Sequence, residues 1–240
     1  MGALFSHAQL CPPNLDFEAG NFSNWECRTG TVAGGAGTNV ITWNATGQVD
    51  GRHTIIPASG SGNDMYGGFP ESCPNGSGYS IRLGNAASGN QAEGVSYTFT
   101  IPAAATQFSI IYYYAIVIMD PNHAIYEQPR FQARVTDMSD GSEINCVSFD
   151  FTASASLPGF SQSHVNTQVI FKDWTPITLD LSGYAGKTIK LDFITSDCTR
   201  GGHFGYAYID VNAACNGAII GSTVCAGDDF ADLKAPFGFQ

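Results

Sequence analysis

Two segments of the chain concentrate side chains that are able to bind a polar ligand. Carboxylates, amides and guanidinium groups make bidentate hydrogen bonds with hydroxyl pairs, and aromatic rings stack on the apolar faces of sugars. The segments MDPNHAIYEQPRF (119–131) and SDCTRGGHF (196–204) mix these groups. The candidate ligand-binding residues are Asp120, Asn122, His123, Tyr126, Glu127, Arg130, Asp197, Arg200 and His203.

Two other interpretations of these segments stay open. In the first, the side chains only pack the loops together, with Arg130 paired to Glu127 or Asp120 and the histidines satisfied locally. In the second, His123 and His203 are ligands of a transition metal, although their spacing matches no common metal motif. A shared ligand site requires that both loops lie at the same end of the fold.

Acidic residues near both ends of the chain form a second candidate site. Asp16 and Glu18 alternate with apolar residues in a predicted strand, Asn14–Glu18, so both carboxylates leave the same side of that strand. Asp210 lies on the tyrosine-bearing side of the predicted last strand, Phe204–Val211. If these two strands are neighbours, the carboxylates repel one another unless a hard cation gathers them. The alternative is that the carboxylates are solvated and never meet.

The elements that must position these residues are almost all predicted strands. Alternating or β-branched runs are separated by turn clusters such as GGAGTN and PNGSG, with no helical periodicity between them. The pattern predicts an all-β jelly-roll sandwich of two sheets, in which the long apolar strand is central and covered on both faces. The predicted strands are Asn14–Glu18, Thr38–Trp43, Tyr79–Leu83, Val95–Ile101, Phe108–Met119, Arg130–Thr136, Asn145–Phe151, Thr167–Phe171, Ile177–Leu181, Thr188–Thr195 and Phe204–Val211.

Composition and charge exclude several classes of function. The net charge of −11, with only ten Lys and Arg residues, argues against nucleic acid and anionic lipid partners, because no basic stripe neutralises phosphates. No apolar run has the length of a membrane-spanning helix. The chain has no G-x-S-x-G, H-E-x-x-H, P-loop or Rossmann glycine pattern, so we expect a protein that is not an enzyme. Trp25, Trp43 and Trp174 are expected to pack inside, whereas an exposed tryptophan is a binding platform.

Seven scattered cysteines indicate a secreted protein. No pair has CxxC or zinc-finger spacing, so disulfides formed outside the cytosol are the better interpretation than a zinc site. The odd count leaves one thiol unpaired, and we expect it to be Cys225. The first residues support export, since Ser6-His7-Ala8 fits a signal-peptide cleavage site, although an unrelated leader fits as well.

The expected domain organisation has three parts. Residues 1–10 are the remnant of a leader, residues 11–215 form the jelly-roll domain, and residues 216–240 are a linker with the first strands of an Ig-like domain. A C-terminal extension docked on the main domain is the alternative for the last part.

Five segments carry a resemblance to a known family, and they are CPPNLDFEAGNFSNWEC, PNGSGYSIRLGN, YYYAIVIMDPNHAIYEQPRF, WTPITLDLSGYAGKTIKLDF and DCTRGGHFGYAYIDV. Together they resemble a domain of large secreted surface proteins of Bacteroidetes, the group that exports adhesins through the type IX system. The tail STVCAGDDFADLKAPFGFQ resembles the Ig-like or PKD-like repeats that follow in such proteins. More distantly, LDFEAG with GYAYIDV is similar to MAM domains and to galactose-binding-type carbohydrate-binding modules.

The resemblance implies a structural calcium ion shared by adjacent first and last strands. By this analogy the expected ligands are first Glu18 and Asp210, then Asp16 and Asp64, with Asn63 and loop carbonyls completing the shell. If the first and last strands are adjacent, Cys11 and Cys215 also lie close together, at the two ends of the domain. The expected disulfides are Cys11–Cys215, Cys27–Cys73 and Cys146–Cys198, although connectivity cannot be deduced from sequence alone.

The resemblance also implies function, which we state as three hypotheses. The first is a non-catalytic, extracellular, cell-surface adhesion or display module stabilised by calcium and disulfides. The second is a carbohydrate-binding module that targets an enzyme or surface protein to glycans or polysaccharide. The third is a structural spacer or cap of a surface filament, whose only partners are further domains of the same chain.

Overall fold

The computed structural model describes residues 11–144, 147–154 and 157–212. The predicted leader and the predicted Ig-like segment therefore lie outside the described residues. Strands dominate, and the described ranges hold one short 3₁₀ helix, Ile125–Glu127. The strands are β1 (Glu26–Gly34), β2 (Asn39–Thr46), β3 (His53–Pro57), β4 (Tyr79–Leu83), β5 (Gln91–Thr100), β6 (Ser109–Met119), β7 (Arg130–Asp137), β8 (Ser142–Glu143), β9 (Phe149–Thr152), β10 (Ser161–Gln162), β11 (Val169–Asp180), β12 (Thr188–Ser196) and β13 (Gly205–Asn212).

The strands form two antiparallel sheets that pack face to face. Sheet A has the order β2-β1-β5-β12-β7-β8, and β9 also pairs with β7. Sheet B has the order β10-β11-β6-β13-β4-β3. This architecture confirms the predicted all-β jelly-roll sandwich. No helix in the described part of the chain is long and apolar enough to cross a membrane.

The long apolar strand lies where its composition predicts. β6 is hydrogen-bonded to β11 on one side and to β13 on the other. Its alternate tyrosines serve both faces, since Tyr112 and Tyr114 join the main core between the sheets and Tyr113 packs on the outer side of sheet B. Every residue of β6 except the two at its ends is buried, which explains why the strand is apolar throughout rather than alternating.

The predicted first strand is wrong, because residues 14–18 form turns. Asn14 and Phe17 have positive φ angles of 55° and 60°, and Asn14 fixes the turn by accepting a hydrogen bond from Ala19 N at 2.9 Å. Leu15 and Phe17 are nevertheless fully buried. Two apolar side chains two positions apart therefore enter the core from a turn, as they would from a strand.

The first and last strands are consequently not neighbours. β1 lies in sheet A, whereas β13 lies in sheet B between β6 and β4. The interpretation that the opening and closing strands are adjacent is therefore corrected. The segment near the start of the described chain that approaches β13 is the turn at residues 14–18, which is not a strand.

A long loop covers the outer face of sheet B. Asp64 in this loop accepts hydrogen bonds from the buried hydroxyls of Tyr206 (2.7 Å) and Tyr208 (3.0 Å), and Phe69 packs on Tyr208 with ring centroids 5.6 Å apart. Trp174 covers the same tyrosine and donates its indole N–H to Pro70 O. The outer face of sheet B is thus a second core, and the polar outer side of sheet A is the more accessible face.

Candidate functional site

The outer side of sheet A carries a band of polar side chains in strand register. Because Cys27, Val95 and Phe193 belong to the core between the sheets, the residues that alternate with them face outward. One outward row runs across five strands and is formed by Arg28, Gly94, Ile194, Gln132 and Asp150. We call this surface the Trp43 face, defined by Arg28, Trp43, Arg130, Gln132, Asp150 and Asp192.

Trp43 is an exposed aromatic ring on this face. It comes from β2, opposite Gly30 of β1, and 37% of its surface is accessible. The ring leans on the strands because two neighbouring positions lack a side chain: a Cβ on Gly94 would lie 3.0 Å from the Trp43 ring, and one on Gly30 would lie 3.1 Å from it. The expectation that Trp43 packs inside is therefore wrong, and part of its ring is available for contact from solvent.

Arg28 joins the aromatic ring to a carboxylate. Its guanidinium carbon lies 4.4 Å from the centre of the Trp43 ring, and its Nη2 donates to Asp192 Oδ1 at 2.5 Å. Burial raises the pKa of Asp192, and the hydrogen bond from Arg28 opposes this rise. Arg28 Nε is buried without a hydrogen-bond partner and lies against the sheet, 2.7 Å from where a Cβ on Gly94 would be.

A second ion pair bounds the opposite side of the Trp43 face. Arg130 makes two hydrogen bonds to Asp150, and Gln132 donates to the same carboxylate at 3.2 Å. Arg130 Nη1 also donates to Thr38 Oγ1 at 2.7 Å. Because Thr38 belongs to the turn between β1 and β2, that turn folds across the face and closes one end of it.

Charges on the Trp43 face and beside it are nearly balanced, although the whole chain carries −11. The cationic side chains in the outward rows are Arg28, Arg130, Arg134 and Lys190, and the acidic ones are Glu26, Glu143, Asp150 and Asp192. The face therefore gathers four of the ten cationic residues of the chain. A surface of this kind does not repel neutral ligands and has no strong preference for anions.

The two polar loops predicted as a ligand site do lie together at one end of the sandwich. Arg200 Nε donates to Glu127 Oε1 at 2.9 Å, and Thr199 N donates to Glu127 O at 3.0 Å. Arg200 lowers the pKa of Glu127. The rings of His123 and His203 have centroids 5.0 Å apart.

Other members of the predicted ligand set have structural partners. Asp120 accepts hydrogen bonds from Gln128 Nε2 and from Asn122 N. Asp197 is buried and accepts from two backbone N–H groups, and burial raises its pKa to about 7. These residues organise the loops.

The side chains of Arg130 and Tyr126 do not lie in this loop cluster. They lie on or beside the Trp43 face. The interpretation that pairs Arg130 with Glu127 or Asp120 is wrong. Arg130 projects from β7 and pairs with Asp150. Glu127 pairs with Arg200 instead. Tyr126 is 40% exposed, and its ring lies 3.5 Å from where a Cβ on Gly34 would be. It therefore lies at the end of β1, beside the turn that closes the Trp43 face.

The acids predicted to bind calcium are brought together in part. Asp16 and Glu18 line a cavity of about 240 Å³ with Asn75, Ser77 and Val211. Asp210 is fully buried beside it and accepts from Asn75 Nδ2 (2.7 Å) and Ser77 Oγ (2.5 Å). Burial raises the pKa of Asp210 to about 7, and the negative charge of Glu18 adds to the rise.

The donor set at this cavity fits a hard cation. It offers carboxylate and amide oxygens, and none of the five ion pairs among the described residues involves Asp16, Glu18 or Asp210. Glu18 Oε1 accepts from Gly78 N and Tyr79 N, which fixes its carboxylate at the cavity. Calcium prefers such irregular oxygen ligands.

Asn63 and Asp64 do not belong to this acid cluster. Asp64 is held by Tyr206 and Tyr208, and Asn63 pairs with Pro70 in the same loop. Asp64 therefore accepts hydrogen bonds from the tyrosines on the outer side of sheet B. Its predicted role as a calcium ligand is corrected.

Two of the expected disulfides are wrong. Cys27 and Cys73 are free and buried, and they cannot meet because Cys27 lies in the core between the sheets while Cys73 packs outside sheet B. Cys198 is also a free thiol, which contradicts the predicted Cys146–Cys198 bond. Cys11 is disulfide-bonded. The other predicted partners, Cys146 and Cys215, and the predicted free thiol Cys225 lie outside the described residues.

A larger surface depression, about 410 Å³, lies elsewhere and has little recognition chemistry. Its aromatic members are already used in packing, since Trp25 stacks on Phe17 at 4.4 Å and donates its indole N–H to Asn14 O. Its lining includes no charged side chain. The lining residues are Asn21, Phe22, Ser23, Trp25, Cys27, Gly47 and Gln48.

Sequence reasoning missed most of the Trp43 face. Arg28, Trp43, Gln132, Asp150 and Asp192 were not candidates, and β1 was not predicted as a strand. The available pattern was the alternation of Cys27 and Thr29 with charged and small residues in ECRTGTVAG. That alternation identifies an outward row only after the strand and its neighbours are known.

No protein-family model matches the chain, and no curated protein sequence matches it. Solved structures that superpose on it include TmCBM61 in complex with β-1,4-galactotriose, with 15% identity, coverage of 87% of this chain and 99% of that one, and a TM-score of 0.41. Another is the family 11 carbohydrate-binding module of the cellulase Lic26A-Cel5E of Clostridium thermocellum, with 10% identity, 82% and 90% coverage and a TM-score of 0.32.

A third similar structure is the enzymatically active domain of tailspike protein 4 of bacteriophage CBA120. It has 13% identity and a TM-score of 0.37, and the match covers 85% of this chain but only 21% of the tailspike. All three superpositions are loose, with TM-scores below 0.5. The strand order described above establishes the sandwich by itself.

Proposed function

We propose that the Trp43 face binds neutral glycan chains and that the domain is a non-catalytic carbohydrate-binding module. The observation that carries this proposal is the exposed ring of Trp43 beside the Arg28–Asp192 pair on an open sheet face. An exposed aromatic ring next to groups with fixed hydrogen-bonding geometry is the combination that a sugar requires.

The aromatic part of the site supplies stacking. A pyranose has an apolar face of C–H groups, and Trp43 offers a large, rigid apolar surface at low cost in side-chain entropy. Gly30 and Gly94 have no side chains to raise the sheet surface beside the ring. The ring therefore lies against the strands in one fixed position, and its exposed part is the surface on which a sugar stacks.

The polar part of the site supplies orientation. Arg28 and Asp192 hold each other in place, and Gln132 and Arg130 do the same with Asp150. Groups fixed before binding lose little side-chain entropy when a hydroxyl pair arrives. Part of the side-chain surface of Arg28 and of Asp192 stays accessible, so a sugar hydroxyl is able to contact both groups.

The proposed setting is extracellular, where polysaccharide is found, and the parent protein supplies further domains. Calcium at Asp16, Glu18 and Asp210 is proposed to stabilise the fold without touching the glycan. The expectation that the domain belongs to a cell-surface adhesin exported by the type IX system stays a prediction.

Binding to immobilised polysaccharides tests the proposal. The purified chain is run through native gels containing β-1,4-galactan, β-1,4-mannan, xylan or mixed-linkage β-glucan, and affinity for a retarding polysaccharide is measured by titration calorimetry. Trp43→Ala is expected to weaken binding at least tenfold, about 1.4 kcal/mol, because the stacking surface is removed.

Val165→Ala is the matched control, since Val165 is also an exposed apolar residue and lies near the edge of sheet B. It is expected to bind like the unmodified chain. The proposal is wrong if a glycan binds equally well to the unmodified chain and to a folded Trp43→Ala variant, or if no glycan in an extended array binds the unmodified chain.

A further inference from the structure

Three potential metal ligands converge at the end of the sandwich, away from the acid cluster. His123 follows β6, and Cys198 and His203 lie between β12 and β13. The candidate ligand atoms of these three residues all lie within 4.8 Å of one another. Cys198 Sγ is 3.3 Å from His123 Nδ1.

The loops that carry these residues are fixed by backbone hydrogen bonds. Cys198 N donates to His203 O at 2.9 Å. This hydrogen bond closes the turn between the two residues and keeps both candidate metal ligands at its base. Thr199 N donates to Glu127 O at 3.0 Å, which ties this turn to the loop of His123. The three donors are therefore arranged before any ligand arrives, and little chain entropy is lost on binding.

One of the donors is not satisfied by the protein itself. His203 Nδ1 is buried and has no hydrogen-bond partner, which is costly in the absence of a ligand. Cys198 is fully buried, and its sulfur accepts a hydrogen bond from Arg200 N at 3.3 Å. These contacts hold the sulfur beside the imidazole of His123.

The donor types select a borderline-soft cation. One thiolate and two imidazoles are ligands of zinc, whereas calcium and magnesium require oxygen. Zinc–sulfur and zinc–nitrogen bonds of about 2.3 and 2.0 Å at tetrahedral angles separate sulfur from nitrogen by about 3.5 Å. The 3.3 Å between Cys198 and His123 is close to that separation.

We propose that His123, Cys198 and His203 bind one zinc ion, with solvent as the fourth ligand. Both histidines are partly accessible, so water reaches the open position. Binding releases the thiol proton of Cys198 to solvent. The ion joins the loop after β6 to the loop before β13, and so fixes the short helix that carries Tyr126 and Glu127.

Zinc binding by the full chain tests this proposal. A tag-free chain is stripped with chelator under reducing conditions, dialysed into millimolar calcium, and titrated with Zn²⁺ alone. We expect one zinc per chain by elemental analysis, at least a 100-fold loss of affinity in Cys198→Ser and at least a tenfold loss in His203→Gln. Co²⁺ is expected to give a thiolate-to-cobalt charge-transfer band that Cys198→Ser lacks.

His164→Gln and Cys27→Ala are the matched controls, because they remove an exposed histidine and a buried free thiol outside the cluster. Both are expected to bind zinc like the unmodified chain. If a cluster variant fails to fold, two measurements on the unmodified chain decide: the cobalt band, and protection of Cys198 from alkylation by zinc.

Three outcomes overturn the proposal. These are no zinc bound by the reduced chain, zinc bound equally by the folded cluster variants, and mass mapping of the purified chain that finds Cys198 in a disulfide. Glycan binding is measured separately and does not enter this test.

Discussion

Arg28 stacks on Trp43 with its guanidinium carbon 4.4 Å from the ring centre, while the same group donates to Asp192. Lysine keeps the charge but loses the planar stack on the Trp43 ring. Arg28→Lys is therefore expected to weaken glycan binding about tenfold in titration calorimetry. Arg134→Lys, at an exposed outward position, is the control. A larger loss in Arg134→Lys than in Arg28→Lys contradicts the assignment of Arg28.

Calcium is expected to stabilise the fold through Asp210. An ion that binds only the folded chain adds about 2.7 kcal/mol at 100 times its Kd, or about 5–10 °C in the melting temperature of a domain this size. Chelator should lower the melting temperature of the unmodified chain by that amount. Asp210→Asn should melt at the same temperature with and without chelator.

Asp64→Asn separates this calcium effect from ordinary packing. Asp64 lies among the outer tyrosines rather than at the acid cluster, so this variant is expected to be less stable but still sensitive to chelator. Equal melting temperatures of the unmodified chain with calcium and with chelator exclude the calcium site.

Removal of the Asp64 carboxylate should cost more stability than removal of a surface acid. Asp64→Ala leaves the buried hydroxyl of Tyr206 and two backbone N–H groups without their acceptor, and leaves Tyr208 with only a 3.4 Å contact to Glu71. We expect a loss of about 3–5 kcal/mol in the free energy of unfolding, measured by urea denaturation. Asp50→Ala, at an exposed turn, should change it by less than about 0.5 kcal/mol. A similar loss in both variants contradicts the tyrosine network.

His53 is expected to make stability fall at acid pH. It is buried, accepts a hydrogen bond from Val49 N at Nδ1 and contacts Gly94 O through Nε2. Burial lowers its pKa, and the charge of Arg52 acts in the same direction. Below about pH 6.5 the unfolded chain takes up a proton that the folded chain resists, so folding becomes less favourable as pH falls.

His53→Gln tests this pH dependence, since glutamine does not titrate. Between about pH 7.5 and about pH 5.5, the unfolding free energy of the unmodified chain should fall by more than that of this variant. Imidazole NMR signals should give a pKa for His53 below the ordinary histidine value of 6.5. A difference that is constant over this range, or a pKa above that value, contradicts the buried neutral histidine.

Cys27 and Cys73 are expected to be reduced and unreactive in the folded chain. Burial raises the pKa of Cys27 to about 11 and raises that of Cys73 as well, so little thiolate is present at about pH 8. Peptide mapping after alkylation should find both residues modified in denaturant without reductant and unmodified in the native chain. A peptide in which Cys27 is joined to Cys73 contradicts the structure.

The fold class was accessible from sequence because alternation and turn residues are local properties. Tyr79–Leu83 and Arg130–Thr136 were located within a residue of β4 and β7, since each alternates and is bounded by turns. The segment at residues 14–18 failed for a physical reason. A turn with Asn14 and Phe17 at positive φ buries two apolar residues just as a strand does.

The candidate sites were less accessible because they depend on which strands become neighbours. The loops of Glu127 and Arg200 lie at one end of the sandwich, which was the condition for the predicted ligand site. Trp43 was not recognised, since exposure depends on Gly30 and Gly94 in other strands. The disulfide between Cys27 and Cys73 was wrong because sequence does not show on which side of a sheet a cysteine packs.

The most direct test of glycan binding at the Trp43 face is an NMR titration of the isotope-labelled chain with a short oligosaccharide of the polysaccharide that it retains. Our account predicts that the largest shifts fall on the Trp43 indole N–H and on amides of β1, β2, β5, β7 and β12 beside Arg28, Gln132 and Asp192. Largest shifts at the loops of His123 and His203, or at the depression beside Phe22 and Trp25, contradict it.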